Sequence, residues 1–169
     1  MVTERRRAGY TLMELMITVA ILGTVATIAG PLFLQTTNFW RLTSARYTIQ
    51  RDVRTSLDTI NRFTRQAQSG TVVIDNAPGQ PPCSRLQLEY ENTFGSVVPV
   101  SFYQQGKKLY MNNNGNVSML SDSLAYIAFT YPRTDDTSII SVAMTMQSAT
   151  YRGGKKALQL SIQKVRIMN

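Results

Sequence analysis

The sequence contains no histidine and a single cysteine, Cys83, in 169 residues. One cysteine cannot form an intramolecular disulfide in any compartment. The absence of histidine excludes histidine metal ligands, Ser-His and Cys-His nucleophile pairs and histidine general bases. Much of ordinary hydrolase chemistry is therefore excluded, and we expect neither a catalytic residue nor a cofactor.

Acidic residues are also few, with 10 Asp and Glu against 18 Lys and Arg, so the formal net charge is +8. Removal of residues 1–9 would take away Arg5–Arg7 and Glu4 and leave +6. A basic balance is compatible with nucleic acid or anionic lipid. The arginines between residues 41 and 65 are not regularly interleaved with aromatic residues for base stacking, so we expect a solvated face and no nucleic-acid partner.

Charge is nearly absent from residues 10–34, where Glu14 is the only charged side chain in 25 residues. As a helix this stretch is about 37 Å long, enough to cross a hydrocarbon core of about 30 Å. Phe39 and Trp40 follow it, as in an aromatic belt at the far interface. The basic cluster Arg5–Arg7 precedes it, which predicts a cytoplasmic N-terminus and a membrane partner.

Three interpretations of this segment compete. A secretory signal peptide would be cleaved after Ala29, but the apolar region is long for a signal core and Pro31 follows closely. A plain signal anchor leaves Glu14 unexplained, since a charge at mid-bilayer costs about 2.5–3.5 kcal/mol, and less near an end. The third interpretation gives Glu14 a function.

Gly9, followed by Tyr-Thr-Leu-Met-Glu at residues 10–14 and an apolar helix, resembles the N-terminus of type IV prepilins and pseudopilins. The resemblance implies that prepilin peptidase cuts between Gly9 and Tyr10 and methylates the new amine of Tyr10. The family commonly has phenylalanine at that position. Glu14 falls on the family's glutamate at the fifth mature position, and Pro31 on its helix-bending proline.

The resemblance also gives a physical reason for Glu14. Cleavage creates a positive amine at the membrane edge, which can pair with the Glu14 carboxylate of a neighbouring subunit in a filament core. Either charge alone would be heavily penalised there, whereas the pair offsets much of its own desolvation. The carboxylate would then set the axial register between stacked helices.

Beyond residue 34 the apolar residues recur at spacings of three and four, which predicts an amphipathic helix that ends near Ser69-Gly70. The apolar face consists of Leu42, Ala45, Ile49, Val53, Leu57, Ile60, Phe63 and Ala67. The sequence thus predicts four segments: a leader at 1–9, a membrane or filament-core half-helix at 10–34, an amphipathic half-helix at 35–69 and a β domain at 70–169.

From residue 71 the period changes to two, which predicts strands. They are expected at residues 85–90, 97–103, 109–111, 117–120, 124–130, 139–146 and 157–167, with Asn114-Gly115 in a hairpin turn. In the last strand Val165 is out of phase with Leu158, Leu160 and Ile162, which predicts a bulge near Gln163–Lys164. The fold class is α+β: a long bent helix packed on an antiparallel sheet.

Acidic residues form no recognisable ligand motif. Asp135 and Asp136, with Asp75 or Asp122 nearby, are a calcium alternative, but their spacing matches no known loop. We therefore expect solvated turn carboxylates and no metal site.

One cysteine cannot close the disulfide loop common in major pilins. The strands "RLQLEY", "VPVSFYQQGKKLYM" and "LAYIAFTY" are similar to those of minor pilins of the J-type pseudopilin group. This resemblance implies a non-enzymatic subunit in the bacterial inner membrane, with its β domain in the periplasm. An inner-membrane platform would assemble it with other minor and major pilins near the tip of a type IV pilus or type II secretion pseudopilus. A major pilin and a tip pilin that binds DNA or surfaces are the alternatives.

Overall fold

The computed structural model describes residues 9–150 and 156–168, and the predicted leader arginines lie outside these residues. One helix, α1, runs from Leu12 to Gln66, and a short 3-10 turn follows at Ser69–Thr71. The sequence predicted this helix with ends two to three residues further out. The chain divides between Arg41 and Leu42 into two compact units.

Within the described residues, eight antiparallel strands follow the helix and form two sheets. One sheet has five strands in the order β1-β2-β3-β4-β5, and the other has three in the order β6-β7-β8. The α+β class is confirmed. The strands are β1 (Val73–Asp75), β2 (Arg85–Glu91), β3 (Val97–Gln105), β4 (Lys108–Asn113), β5 (Asn116–Ser121), β6 (Leu124–Thr130), β7 (Ile139–Ala149) and β8 (Lys156–Arg166).

Two details of the sheets differ from the sequence prediction. Strand β1 was missed, because three residues are too short to show an alternating pattern. The strands also form two sheets rather than one, because β6 does not extend the β5 edge. Its Leu124 and Phe129 N–H groups instead donate to the carbonyl oxygens of Lys107 and Cys83, each at 2.9 Å.

The β4–β5 hairpin has the predicted turn. Asn114 and Gly115 both have positive φ, 50° and 88°, as a two-residue type I′ turn requires. The side chain of Asn112 accepts a hydrogen bond of 2.9 Å from the Gly115 N–H. This turn chemistry is local, which explains why the sequence alone identified the hairpin.

The predicted bulge near Gln163–Lys164 is wrong. The β7–β8 pairing runs without a register shift from Ile139 opposite Arg166 to Ala149 opposite Lys156. The apolar pattern changes phase because apolar residues occupy different faces of one regular strand. Val165, like Ala157, is buried, whereas Leu158, Leu160 and Ile162 on the other face are 67%, 64% and 63% exposed.

The core of the 42–169 unit is built around one face of α1, as predicted. Ile49, Ile60 and Phe63 are at most 6% exposed. The Phe63 ring lies 5.2 Å from that of Tyr90 and 6.0 Å from that of Phe102, measured between centroids. Burial of each such side chain contributes about 1.5–3 kcal/mol, so this face holds the helix on the strands.

Gln104 on β3 connects the two sheets through its side chain. The residue as a whole is buried, with only 4% of its surface exposed. Its Oε1 accepts a hydrogen bond of 3.2 Å from the Ile127 N–H on β6. Its Nε2 donates to the carbonyl oxygens of Gly106 at 2.8 Å and Ala125 at 3.4 Å. One buried amide therefore satisfies backbone groups that would otherwise lack partners.

Candidate functional site

The first part of α1 presents apolar side chains to its surroundings. Leu12, Leu22 and Phe33 are 81%, 67% and 73% exposed, and every residue from Leu12 to Thr36 is exposed. The most apolar window has a mean hydropathy of 2.1, so the helix is long and apolar enough to cross a membrane by length and composition. A continuous apolar surface of this kind requires cover by lipid or by another chain.

Threonine hydroxyl groups in this segment donate hydrogen bonds to carbonyl oxygens of the preceding turn of the same helix. Thr18 donates to the Glu14 and Leu15 carbonyl oxygens at 3.0 and 2.8 Å. Thr24 donates to the carbonyl of Ile21, and Thr27 to that of Gly23, both at 2.8 Å. Such back-bonding removes unpaired donors, so these polar residues are compatible with an apolar environment.

Thr11 caps the start of the helix. Its Oγ1 accepts a hydrogen bond of 3.2 Å from the Glu14 N–H. Thr11 and Glu14 thus occupy the cap and third positions of the Ser/Thr-x-x-Glu capping-box pattern. The sequence analysis missed this cap, although the pattern at residues 11–14 was readable. A carboxylate in the first turn also interacts favourably with the helix dipole.

The structure shows no cation paired with the Glu14 carboxylate among the residues it describes. The side chain is exposed in the first turn of α1. Its predicted partner, the amine of a neighbour's Tyr10, belongs to another copy of the chain and to a processed N-terminus. Glu14 is therefore placed where a second chain can reach it.

Gly9 and Tyr10 precede the helix, and Tyr10 is 84% exposed. A Cβ atom added at Gly9 would meet no atom within 4 Å, and the residue lacks the positive φ that favours glycine. The described part of the fold thus gives no packing reason for glycine at position 9. A requirement from outside the chain, such as fit to a peptidase, would give one.

Pro31 lies inside α1, and the helix is assigned without a break on both sides of it. Proline lacks the N–H that would donate to the carbonyl of Thr27, so the backbone ladder of the helix has one hydrogen bond fewer here. The predicted helix bend at Pro31 stays a prediction.

The carboxylates named in the calcium alternative have other partners. Asp135 accepts hydrogen bonds from Arg133 at 2.8 and 3.1 Å. Asp136 accepts one of 2.9 Å from the Ser138 N–H and another from its hydroxyl, and these bonds lower the pKa of Asp136. Across residues 9–150 and 156–168, no three Cys, Asp or Glu residues are grouped as metal ligands would be.

Asp75 forms an ion pair with Arg85 across strands β1 and β2. Arg85 Nε donates to Asp75 Oδ1 at 2.5 Å, and Nη2 bonds to Oδ2. Gln87 adds a bond of 2.9 Å to Oδ2. The Arg85 hydrogen bonds hold the pKa of Asp75 below its usual value. This pair links two strands, which gives both side chains a structural function.

Comparison with known families assigns only the N-terminus. Residues 5–30 match the family described as the prokaryotic N-terminal methylation motif, which includes the Gly9–Tyr10 junction, Glu14 and the apolar helix. No curated protein and no solved structure matches the chain. The motif indicates a structural subunit that is processed and assembled with others, and it supports placing the chain in the type IV pilin and pseudopilin superfamily.

Proposed function

We propose that this chain is a minor pilin or pseudopilin, a structural subunit of a type IV pilus or a type II secretion pseudopilus. Prepilin peptidase cuts after Gly9, and the amine of Tyr10 is methylated. Before assembly, the subunit is anchored in the inner membrane with residues 42–169 in the periplasm. It then enters the filament near its tip, where it assembles with other minor and major pilins.

The observation that carries this proposal is the methylation motif on a helix whose apolar surface is uncovered. Residues 5–30 match the motif, and the most apolar window of the helix has no buried residue within the chain. In a membrane, lipid covers this surface. In a filament, the same surfaces of neighbouring subunits cover one another, with Pro31 as the point where the helix bends.

In this proposal, Glu14 sets the axial register between the helices of neighbouring subunits. Its carboxylate accepts the methylated amine of a neighbour's Tyr10, and the two charges neutralise each other in a core where each alone is strongly disfavoured. The capping position offers a competing explanation, in which Glu14 only helps the helix to start. Two variants separate these functions.

The first variant, Glu14→Gln, keeps the size and capping ability of the side chain but removes its charge. The second, Thr11→Ala, removes the capping hydroxyl but keeps the charge. Each is expressed in the native host at its normal level. Mass spectrometry of sheared filaments and membranes gives the N-terminus, its methylation and the copy number per filament.

We expect Glu14→Gln to remain in the membrane and to enter filaments about tenfold less, because an unpaired amine is left in the core. Thr11→Ala should enter normally. The reverse pattern would mean that Glu14 acts only as a helix cap. An N-terminus at Gly30 instead of methylated Tyr10 would favour a signal peptide. A copy number that makes this chain the principal subunit would make it a major pilin.

A further inference from the structure

Strand β8 carries polar residues on its inward face and large apolar residues on its outward face, the opposite of the usual arrangement in a sheet with one solvated face. Its inward face carries Gln159, Ser161 and Gln163 between buried Ala157 and Val165. Its outward face carries Leu158, Leu160 and Ile162, which are all more than 60% exposed. Three large apolar side chains in a row on a solvated strand face indicate a surface that another chain covers.

The free edge of β8 is long, and among the residues that the structure describes it has no backbone partner. β8 lies at the end of its sheet and spans eleven residues, Lys156–Arg166, against six for the edge strand β5. On the other edge of the same sheet, N–H groups of β6 donate hydrogen bonds to the carbonyl oxygens of Lys107 and Cys83 and to Gln104 Oε1. Between residues 157 and 166 the structure shows no such bond away from β7. An uncovered edge of this length is a template for an added strand.

A groove beside β8 provides room for inward side chains of that strand. It has a volume of about 350 Å³ and is bordered by one helix face and by the inward residues of β8. A second hollow joins Gln163 to Asn61, whose buried Oδ1 has no hydrogen-bond partner in the described chain. The inward residues of an added strand would therefore meet polar groups. Those lining the groove are Gln50, Val53, Arg54, Leu57, Asp58, Gln159, Ser161 and Gln163.

The basic charge around β8 indicates what kind of strand can bind to its free edge. Residues 137–169 contain five Lys and Arg residues and no acidic residue. Lys164 is exposed on the same face as the three apolar residues. Two copies paired through β8 would bring basic segments together, which disfavours self-association. A lipid surface is also disfavoured, because hydrocarbon cannot satisfy an open strand edge.

We propose that the free edge of β8 binds an extended segment of a different protein by strand addition. That segment carries apolar residues at alternate positions, which pack beside Leu158, Leu160 and Ile162. It also carries an acidic residue opposite Lys164, and polar residues on the face toward the helix. This interaction does not require Glu14 or processing at Gly9, so it goes beyond the proposed function.

The test uses the full chain in its native host, with a photo-crosslinking phenylalanine analogue at position 160. The matched control carries the analogue at Val117, which is 55% exposed on β5, an edge strand of the five-stranded sheet. Cross-linked sites are mapped by mass spectrometry. Lys164→Glu reverses the charge at the proposed contact, and Lys108→Glu makes the same change at an exposed position on β4.

We expect position 160 to cross-link to one extended segment of another protein with an acidic residue near Lys164, well above the yield at position 117. Lys164→Glu should lower that yield about fivefold, as expected for replacing one attractive pair by a repulsive one, and Lys108→Glu should not. In the isolated complex, alternate amides of residues 157–166 should be protected from hydrogen exchange.

Other results would overturn the proposal. These are cross-links to lipid, to a second copy or to a helix surface, or a yield no higher than at position 117. Unchanged exchange at the β8 amides would show that a partner touches the apolar side chains without adding a strand. Since residues 160 and 164 are exposed, none of these variants depends on repacking the core.

Discussion

Substitution of Gln104 should strongly lower the stability of the protein, because its side chain forms hydrogen bonds that link the two sheets. In Gln104→Ala, the Ile127 N–H remains buried without its acceptor, which costs about 1–3 kcal/mol. The carbonyl of Gly106 also loses its donor, and a small cavity forms. We expect a loss of about 3 kcal/mol in the free energy of unfolding.

Two further variants separate the hydrogen bonds from the cavity. Gln104→Met keeps most of the volume and removes the hydrogen bonds, so it should lose about 2 kcal/mol. Gln105→Ala changes the exposed neighbour on the same strand and should stay within about 0.5 kcal/mol of the parent.

Thermal unfolding of the full chain in detergent micelles, followed by circular dichroism in the strand region, measures these losses. At about 2–4 °C per kcal/mol, Gln104→Ala should lower the Tm by about 9 °C. Hydrogen exchange at the Ile127 amide should accelerate in both Gln104 variants. If Gln104→Met were as stable as the parent, the hydrogen bonds of the Gln104 side chain would contribute nothing, and the reasoning would be refuted.

The remaining predictions concern the ion pair of β1 and the helix face. The lowered pKa of Asp75 contributes stability above its unfolded value of about 3.9, and this contribution is lost as the pH falls through the folded value. Asp75→Asn should therefore lower the free energy of unfolding by at most about 1 kcal/mol at pH 7, because Asp75 and Arg85 are each about a third exposed. In urea titrations, the difference from the parent should shrink below a pH of about 3.9. A difference that stays constant with pH would contradict the ion-pair explanation. Ile60→Ala at a fully buried position should cost about 2–5 kcal/mol in the same titrations, whereas Ile162→Ala at 63% exposure should stay within about 0.5 kcal/mol; equal losses would mean that burial is misassigned.

Local patterns account for what was predicted correctly. The three-and-four spacing along α1 identified the buried face that includes Ile60 and Phe63, because a helix repeats every 3.6 residues whatever it packs against. Asn114-Gly115 identified its hairpin because few residues tolerate positive φ. The processing motif is likewise contained in a short stretch, and residues 5–30 match the methylation motif.

Pairings between distant residues account for what was missed. The bulge near Gln163–Lys164 was inferred from a change of phase in the apolar residues, on the assumption that apolar means buried. In β8 that assumption fails, since Leu158 and Leu160 face outward on a strand with regular pairing. An apolar surface that another chain covers has the same sequence pattern as an apolar core.

By itself, the sequence determined the α+β class, the long apolar helix and a methylation motif at residues 5–30. These depend on periodicity and short-range spacing, which need no knowledge of distant contacts. Only the tertiary structure decided that the strands form two sheets joined by Gln104, and that β8 leaves one edge and an apolar face uncovered. Those features depend on which distant backbone groups pair: N–H groups of β6 bond to the β3–β4 hairpin of the other sheet and to Cys83, whereas residues 157–166 of β8 show backbone pairing with β7 alone.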